Sequence, residues 1–355
     1  MSYQGPPQRG YAGSPPRPRQ PVPPFPGPAP RRRRRRPGRR VGLILVVVLL
    51  LVIGLAGYVD RSLNRDDALA DYPDRIADTP GTNWLIVGSD SRAGLTGDQA
   101  AELATGDEAG VAGQRTDTIM LLHIPAPGAG AAPTLVSLPR DSSVPIPGEG
   151  RNKLNAAYAF GGPSLLVQTV ETVTGVHLDR YAEIGFGGFA GIVDDIGGVQ
   201  LCPTEPIDDP LAGLDIPAGC QELSGPEALG YVRTRHSPRG DLDRVVRQQE
   251  FLGALIAKAT SPAVLLNPLR IVPLASSVPA AITVDDSAHV WHLARLGWTM
   301  RALSSGGAVS TTIPVAGFGQ LDDGSSAVLW DRDRAIQLFD ALAEDRPVPP
   351  GALGP

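Results

Sequence analysis

Residues 83–92 read NWLIVGSDSR, an apolar run that breaks on a glycine and then offers an acid and a base. Trp84 to Val87 has the length and composition of a buried strand, and Gly88 stops it. Two runs of the same kind follow, TDTIMLLHI at 116–124 and TLVSLPRD at 134–141, each halted by proline or glycine. If the first two pair antiparallel, Asp90 just past one and Asp117 at the start of the other share an edge of the sheet. Arg140, after the third, joins that edge if its strand runs parallel to the first.

Helical signals alternate with these strands. SLLVQTVETVTG (164–175) ends on Gly175, and GFAGIVDDIGG (188–198) is bounded by glycines. YAEIGF (181–186) and VSTTIPV (309–315) read as further strands. LSGPEALGYVR (223–233) opens with Ser224 and Glu227 at capping-box spacing and Pro226 in the first turn. LDRVVRQQEFLGALIAKA (242–259) is amphipathic, and DSAHVWHLARLGWTMRAL (286–303) and DRDRAIQLFDALAE (331–344) are also helical in pattern. Strands interleaved with helices predict an α/β fold, one domain with a mixed central sheet flanked by helices.

The ends of the chain are different in kind. Residues 1–40 are rich in proline and arginine, hold eleven Arg and no acid, and are expected to be disordered. Their last ten, RRRRRRPGRR, run straight into VGLILVVVLLLVIGLAGYV (41–59), which has no charge. A helix of that length spans roughly 28 Å, enough for a bilayer core. The basic flank predicts a cytoplasmic N-terminus and a domain outside the cytoplasm. A signal peptide fits less well, because the apolar run is long and no A-x-A site follows. A polar connector at 60–81, the domain at 82–345 and a tail at 346–355 complete the expected division.

Charge narrows the partners. Beyond residue 40 the chain carries 21 basic against 37 acidic residues, so a nucleic-acid surface is not expected. YVRTRHSPRGDLDRVVRQQ (231–249) nevertheless concentrates five arginines. Guanidinium forks match phosphate oxygens and keep their charge, which makes Arg140, Arg233 and Arg235 candidates for an anion, with surface ion pairing as the plainer reading. Arg244 and Gln248 are four apart and share a helix face that continues into Phe251 and Leu255. A polar end leading to an apolar end suits a ligand with a charged head and a greasy tail. Asp90 and Asp117 beside such arginines suggest Mg²⁺ or Mn²⁺ on a phosphorylated substrate. The histidines show no zinc spacing, and neither a G-x-S-x-G elbow nor a P-loop occurs. Cys202 and Cys220 are expected to pair in an oxidising compartment, with metal binding as the alternative.

Taken in order, GSDSR at 88, RTDT at 115, SLPRDS at 137, KLNAAYAFGG at 153, GFGGFAGIVDDIGGV at 185, LSGPEALGYVRTRH at 223 and GDLDRVVRQQ at 240 resemble the LytR-CpsA-Psr family, over roughly residues 82–258. The resemblance implies a membrane-anchored phosphotransferase that moves a glycan polymer from a polyprenyl-pyrophosphate carrier to peptidoglycan. By position in the motifs it implies Asp90 and Asp117 as metal ligands and Arg140, Arg233 and Arg235 as pyrophosphate ligands. Gln248, Arg92, Asp241 and Arg244 would shape the site. It also implies a hydrophobic tunnel for the polyprenyl tail, for which the Gly/Ala/Ile/Val run at 184–199 is suitable lining. RYAEI at 180 departs from the His-Tyr-Val pattern common in the family. The lysine-poor composition and the two cysteines look like the actinobacterial branch, where the glycan would be arabinogalactan. A non-enzymatic envelope regulator that binds polyprenyl lipid is the reading from another class, motivated by the forty-residue basic arm.

Overall fold

The three apolar runs become neighbours in one sheet. In the computed structural model, which describes residues 1, 2, 5, 37–89, 116–234, 241–304 and 306–354, they are strands β2 (Thr82–Ser89), β3 (Thr116–Ile124) and β4 (Thr134–Ser137). Residues 94–113, rich in glycine, alanine and acids and expected to form a loop, and most of the low-complexity N-terminus lie outside the described residues. Four more strands complete the sheet: β1 (Asn64–Asp66), β5 (Arg180–Gly185), β6 (Ile282–Asp285) and β7 (Val309–Thr312). Their order is β1-β6-β5-β2-β3-β4-β7.

β2 pairs antiparallel with β3, and β3 antiparallel with β4, so β4 runs parallel to β2. β5 is parallel to β2, β6 antiparallel to β5, β1 parallel to β6, and β7 parallel to β4. The carboxyl ends of β2, β4, β5 and β7 therefore meet the amino end of β3 along one edge. This is the mixed sheet expected, and it gathers the strand ends that carry the candidate residues.

The chain divides into two compact units, Met1–Leu50 and Leu51–Pro355. Helix α1 (Pro37–Ser62) runs through the division, and its segment Gly42–Ser62, with mean hydropathy 2.9 and none of it buried, is long and apolar enough to cross a membrane. In the larger unit, helices α2 (Leu154–Thr174) and α8 (Arg332–Ala343) cover one face of the sheet. There Leu85, Val87, Leu121 and Val136 pack on Leu166, Val170, Leu338 and Phe339. Helices α5 (Asp241–Ala259) and α7 (Val290–Ser304) cover the other, where Trp84, Met120 and Leu135 meet Leu252, Ile256 and Met300. Each such side chain, fully buried, contributes about 1.5–3 kcal/mol.

A third apolar cluster joins helices α3 (Phe186–Ile196) and α4 (Gly225–Arg233) to α5 through Val193, Ile196, Tyr231 and Phe251. α4 begins as its sequence dictates, with the Ser224 N–H donating to Glu227 Oε2 at 2.8 Å. α2 starts ten residues ahead of the expected SLLVQTVETVTG and is interrupted at Gly161 and Gly162. It ends on Gly175 at φ 68, a left-handed cap that only glycine adopts without cost.

Helix α6 (Pro268–Ala281) had no counterpart among the expected helices. Pro273 and Pro279 lie inside it, and proline interrupts the local helical signal. Packing on α3 holds it, and Gly188 permits the approach: a Cβ there would lie 2.3 Å from Ala281 Cα. The connector is equally fixed. Beyond β1, Arg75 donates to both carboxylate oxygens of the fully buried Glu171 at 3.1 and 3.0 Å, and Tyr72 Oη donates at 2.6 Å. Cys202 and Cys220 form a disulfide, 18 positions apart, enclosing a small hairpin of Ile207–Asp209 with Leu214–Ile216.

Candidate functional site

At the shared edge a cleft of about 800 Å³, counted to its open mouth, lies between β2, β3, β5 and helices α3, α4 and α5. Its polar lining is Ser89 and Thr118 from the sheet edge, Arg233 from the last turn of α4 and Gln248 from α5. Its inner wall is apolar, built by Ile86, Phe189, Leu229, Phe251 and Leu255 among others. Phe189 and Phe251 pack with ring centroids 4.7 Å apart. The α5 face read from spacing is thus present: Gln248, Phe251 and Leu255 follow one another into the cleft. Ile184, Gly185 and Phe189, from the run expected to line an apolar tunnel, line it too.

The last pair of the β2–β3 ladder is Ser89 with Thr116, and a register shift beside it leaves Asp117 without a partner across the ladder. Asp117 therefore lies at the corner where β2 ends on Ser89. Asp90, Arg92 and Arg235 lie outside the described residues. Asp117 is described in its backbone only, as are Asp241 and Arg244 in the first turn of α5. Ser89 Oγ and Thr116 Oγ1 are buried and have no hydrogen-bond partner among the described residues. These two orphaned hydroxyls flank the Asp117 backbone and are oxygen donors of the kind that suits Mg²⁺ or Mn²⁺.

Arg233 ends α4 and lines the cleft. Gln248 Nε2 donates to the Val232 carbonyl at 3.3 Å, tying α5 to the last turn of α4. Arg140 lies along the same edge outside the cleft lining, where its Nε donates to Asp141 Oδ2 at 3.3 Å. Lys153 Nζ binds the other oxygen of Asp141 at 3.0 Å. Burial works to raise the Asp141 pKa, but the Lys153 hydrogen bond and the two cations outweigh it and hold it below the usual range.

Two positioning groups escaped the sequence reading. Arg247, almost fully buried, donates through Nη2 to the Thr234 carbonyl at 2.6 Å, and Thr234 Oγ1 donates to Asp209 Oδ2 at 2.6 Å. Together they fix the backbone between Arg233 and Arg235. The signal was available: Arg247 is four residues before Phe251, on the buried face of α5. Asp141 and Lys153 belonged to quoted motifs without being singled out. Between the same two helices, burial and then Glu250 push the Tyr231 hydroxyl up to about 12.

Comparison with known proteins places this arrangement. The description that matches is that of the LytR_cpsA_psr family, over residues 60–344. The chain belongs to the LytR_cpsA_psr family. It is 53% identical over 302 residues to a "Probable cell wall biosynthesis protein LcpB" of Corynebacterium glutamicum, covering 85% of this chain and 69% of that one. It is 32% identical over 205 residues to the "Polyisoprenyl-teichoic acid--peptidoglycan teichoic acid transferase TagU" of Bacillus cereus, covering 57% of this chain and 61% of that one. Among solved structures, a LytR-Csp2A-Psr enzyme from Actinomyces oris superposes with a TM-score of 0.58 at 24% identity, over 79% of this chain and 96% of that one. That likeness extends the LytR_cpsA_psr assignment to the fold. The actinobacterial character read from composition agrees with the Corynebacterium relative.

Proposed function

We propose that this chain is a membrane-anchored glycopolymer–peptidoglycan phosphotransferase acting outside the cytoplasm, with its basic N-terminus inside. One observation carries the reading: the cleft is lined by a cation and hydroxyls at the sheet edge together with an aromatic and aliphatic wall. A polyprenyl pyrophosphate has that polarity, a doubly charged head on a hydrocarbon chain. The names of LcpB and TagU support the same class of reaction.

In this reading Arg233, with Arg140 and Arg235, grips the pyrophosphate oxygens, and Gln248 holds the last turn of α4 so that the guanidinium is set in place. Phe189, Phe251 and Leu255 receive the first isoprene units. A hydroxyl of peptidoglycan attacks the phosphorus that bears the glycan and gives its proton to a carboxylate at the sheet edge. The bond from that phosphorus to the bridging oxygen breaks, and polyprenyl phosphate leaves with that oxygen. Catalysis is then positioning and charge neutralisation on a substrate that brings its own free energy. Asp90 and Asp117 would hold Mg²⁺ or Mn²⁺, which would neutralise pyrophosphate charge and acidify the attacking hydroxyl.

The test is the full chain in detergent, given a lipid-linked glycan and peptidoglycan. Release of polyprenyl phosphate with glycan retained on the peptidoglycan is expected. Asp90→Asn and Asp117→Asn should each weaken the response to Mg²⁺, and the double variant should lose little more than the worse single, because groups that share an ion act as a unit. Tight binding of the lipid without release would instead favour an envelope regulator.

A further inference from the structure

Helix α7 presents an exposed stripe of Trp291, Arg295 and Trp298, spaced four and three apart, with Trp298 74% exposed. Trp291 stacks one face on His289 at 4.3 Å between centroids, yet both indoles remain largely exposed. A second set lies in residues 261–281: Leu265, Leu266, Leu269 and Val272 are all exposed, Leu269 at 83%. Neither 261–281 nor 290–304 contains an aspartate or glutamate, although the chain has 37.

Hydrogen bonds fix both sets against the same two landmarks. The first is the end of α1. The Val290 N–H donates to Asp60 Oδ1 at 2.9 Å, and His289 Nδ1 lies 3.2 Å from the same carboxylate. Asn64 Nδ2 donates to the Pro279 carbonyl at 3.1 Å. The second is Thr260, whose carbonyl accepts from Arg301 Nη1 at 3.3 Å at the far end of α7. α7 thus starts at the end of α1 and ends beside Thr260, while the segment 261–281 starts beside Thr260 and ends at the start of β1, two residues beyond α1. Each element is roughly 20 Å long at 1.5 Å per residue.

We infer that α7 and the 261–281 segment are the surface on which the domain rests on the bilayer from which α1 emerges, with Trp291 and Trp298 at headgroup depth. The inference rests on Gly42–Ser62 spanning the membrane. Three features select lipid as the occupant. The end of α1 is bonded to this surface, so the bilayer is beside it. Tryptophan and arginine with aliphatic neighbours are the composition of an interfacial helix. A face without acids in a strongly acidic domain avoids repulsion by anionic headgroups. The placement also serves the cleft. α7 packs on Leu252 and Ile256 of α5, whose Leu252 and Leu255 line the apolar wall of the cleft. One helix, about 10 Å across, separates the bilayer face from the apolar wall of the cleft.

The test uses the full chain in nanodiscs of phosphatidylcholine and phosphatidylglycerol at one copy per disc, with and without bromine near the headgroup end of the acyl chains. Emission should fall by roughly half in brominated discs, because two of the four tryptophans would sit at that depth, whereas Trp84 is buried in the core. Trp291→Phe/Trp298→Phe should abolish the quenching and keep the thermal transition, since both rings are exposed. Each single variant should halve it. Co-elution with discs but no quenching overturns the docking surface alone. Quenching that survives in the double variant overturns it as well; in discs loaded with two copies, burial of these tryptophans that is absent at one copy would mark a dimer face and overturn it too. Failure to co-elute overturns the membrane span and the docking with it.

Discussion

Arg233 enters the cleft from the last turn of α4, and its planar fork suits two phosphate oxygens at once. Arg233→Lys keeps the charge and loses the fork, so transfer should fall at least ~10-fold without loss of fold, as charge-assisted bonds of about 1.5–3 kcal/mol imply. Full activity in that variant would leave Arg233 a surface role only. Asp141 clamps Arg140 and Lys153 with its two oxygens. Its folded pKa lies below the ordinary carboxylate value, so its contribution to stability is present above that ordinary value and is lost as pH falls through the folded pKa. Asp141→Asn should flatten this acid limb in thermal unfolding measured from pH 6 downward, and should slow transfer by loosening Arg140. The cluster of arginines was legible because guanidinium groups in an acidic chain are conspicuous. Arg247 and Asp141 were not, because their roles depend on a carbonyl and a lysine that only folding brings near.

The elements differ in how much of them local sequence records. β2, β3 and β4, the capping box of α4 and the apolar face of α5 all carry a signal within ten or twenty residues, and with them the sheet edge and cleft could be anticipated. β1 is three polar residues whose partner is β6, and neither has a local pattern. α6 contains interior prolines and owes its place to Gly188 on another helix. The connector between β1 and β2 is held by Glu171, which burial would penalise without its cation. Arg75→Ala should therefore cost about 3 kcal/mol in denaturant unfolding, and a change under a third of that would show the carboxylate finding another partner. The Cys202–Cys220 bridge closes a loop of 18 positions. Its reduction should lower stability by about 3 kcal/mol. An unchanged transition after reduction would mean that the Ile207–Asp209 hairpin holds itself.

At the scale of the molecule, one sheet edge gathers strand ends from positions 89, 116, 137 and 185, and three helices close over it to make the cleft. The family assignment over residues 60–344 includes the connector that the sequence reading set aside, in keeping with the burial of Ala68 and the Tyr72–Glu171 bond. Removing residues 60–81 should therefore unfold the domain rather than merely untether it. A soluble, cooperatively melting fragment beginning at Thr82 would contradict that.

The pairing of Asn64 with Thr283 has a consequence for the order of events during synthesis. The strand nearest the membrane anchor is among the first parts of the domain to leave the ribosome, yet the strand that completes it is made more than two hundred residues later. Until then β1 has no partner, and the anchor is joined to a chain whose sheet is open on that side. Loop closure over such a distance is slow, and unpaired edges invite association. The protein thus spends its vulnerable period already tethered, where two-dimensional crowding of nascent copies matters more than their bulk concentration. Conditions that delay the last third of the chain, such as a translational pause before residue 282, should raise aggregation at the membrane more than pauses placed earlier.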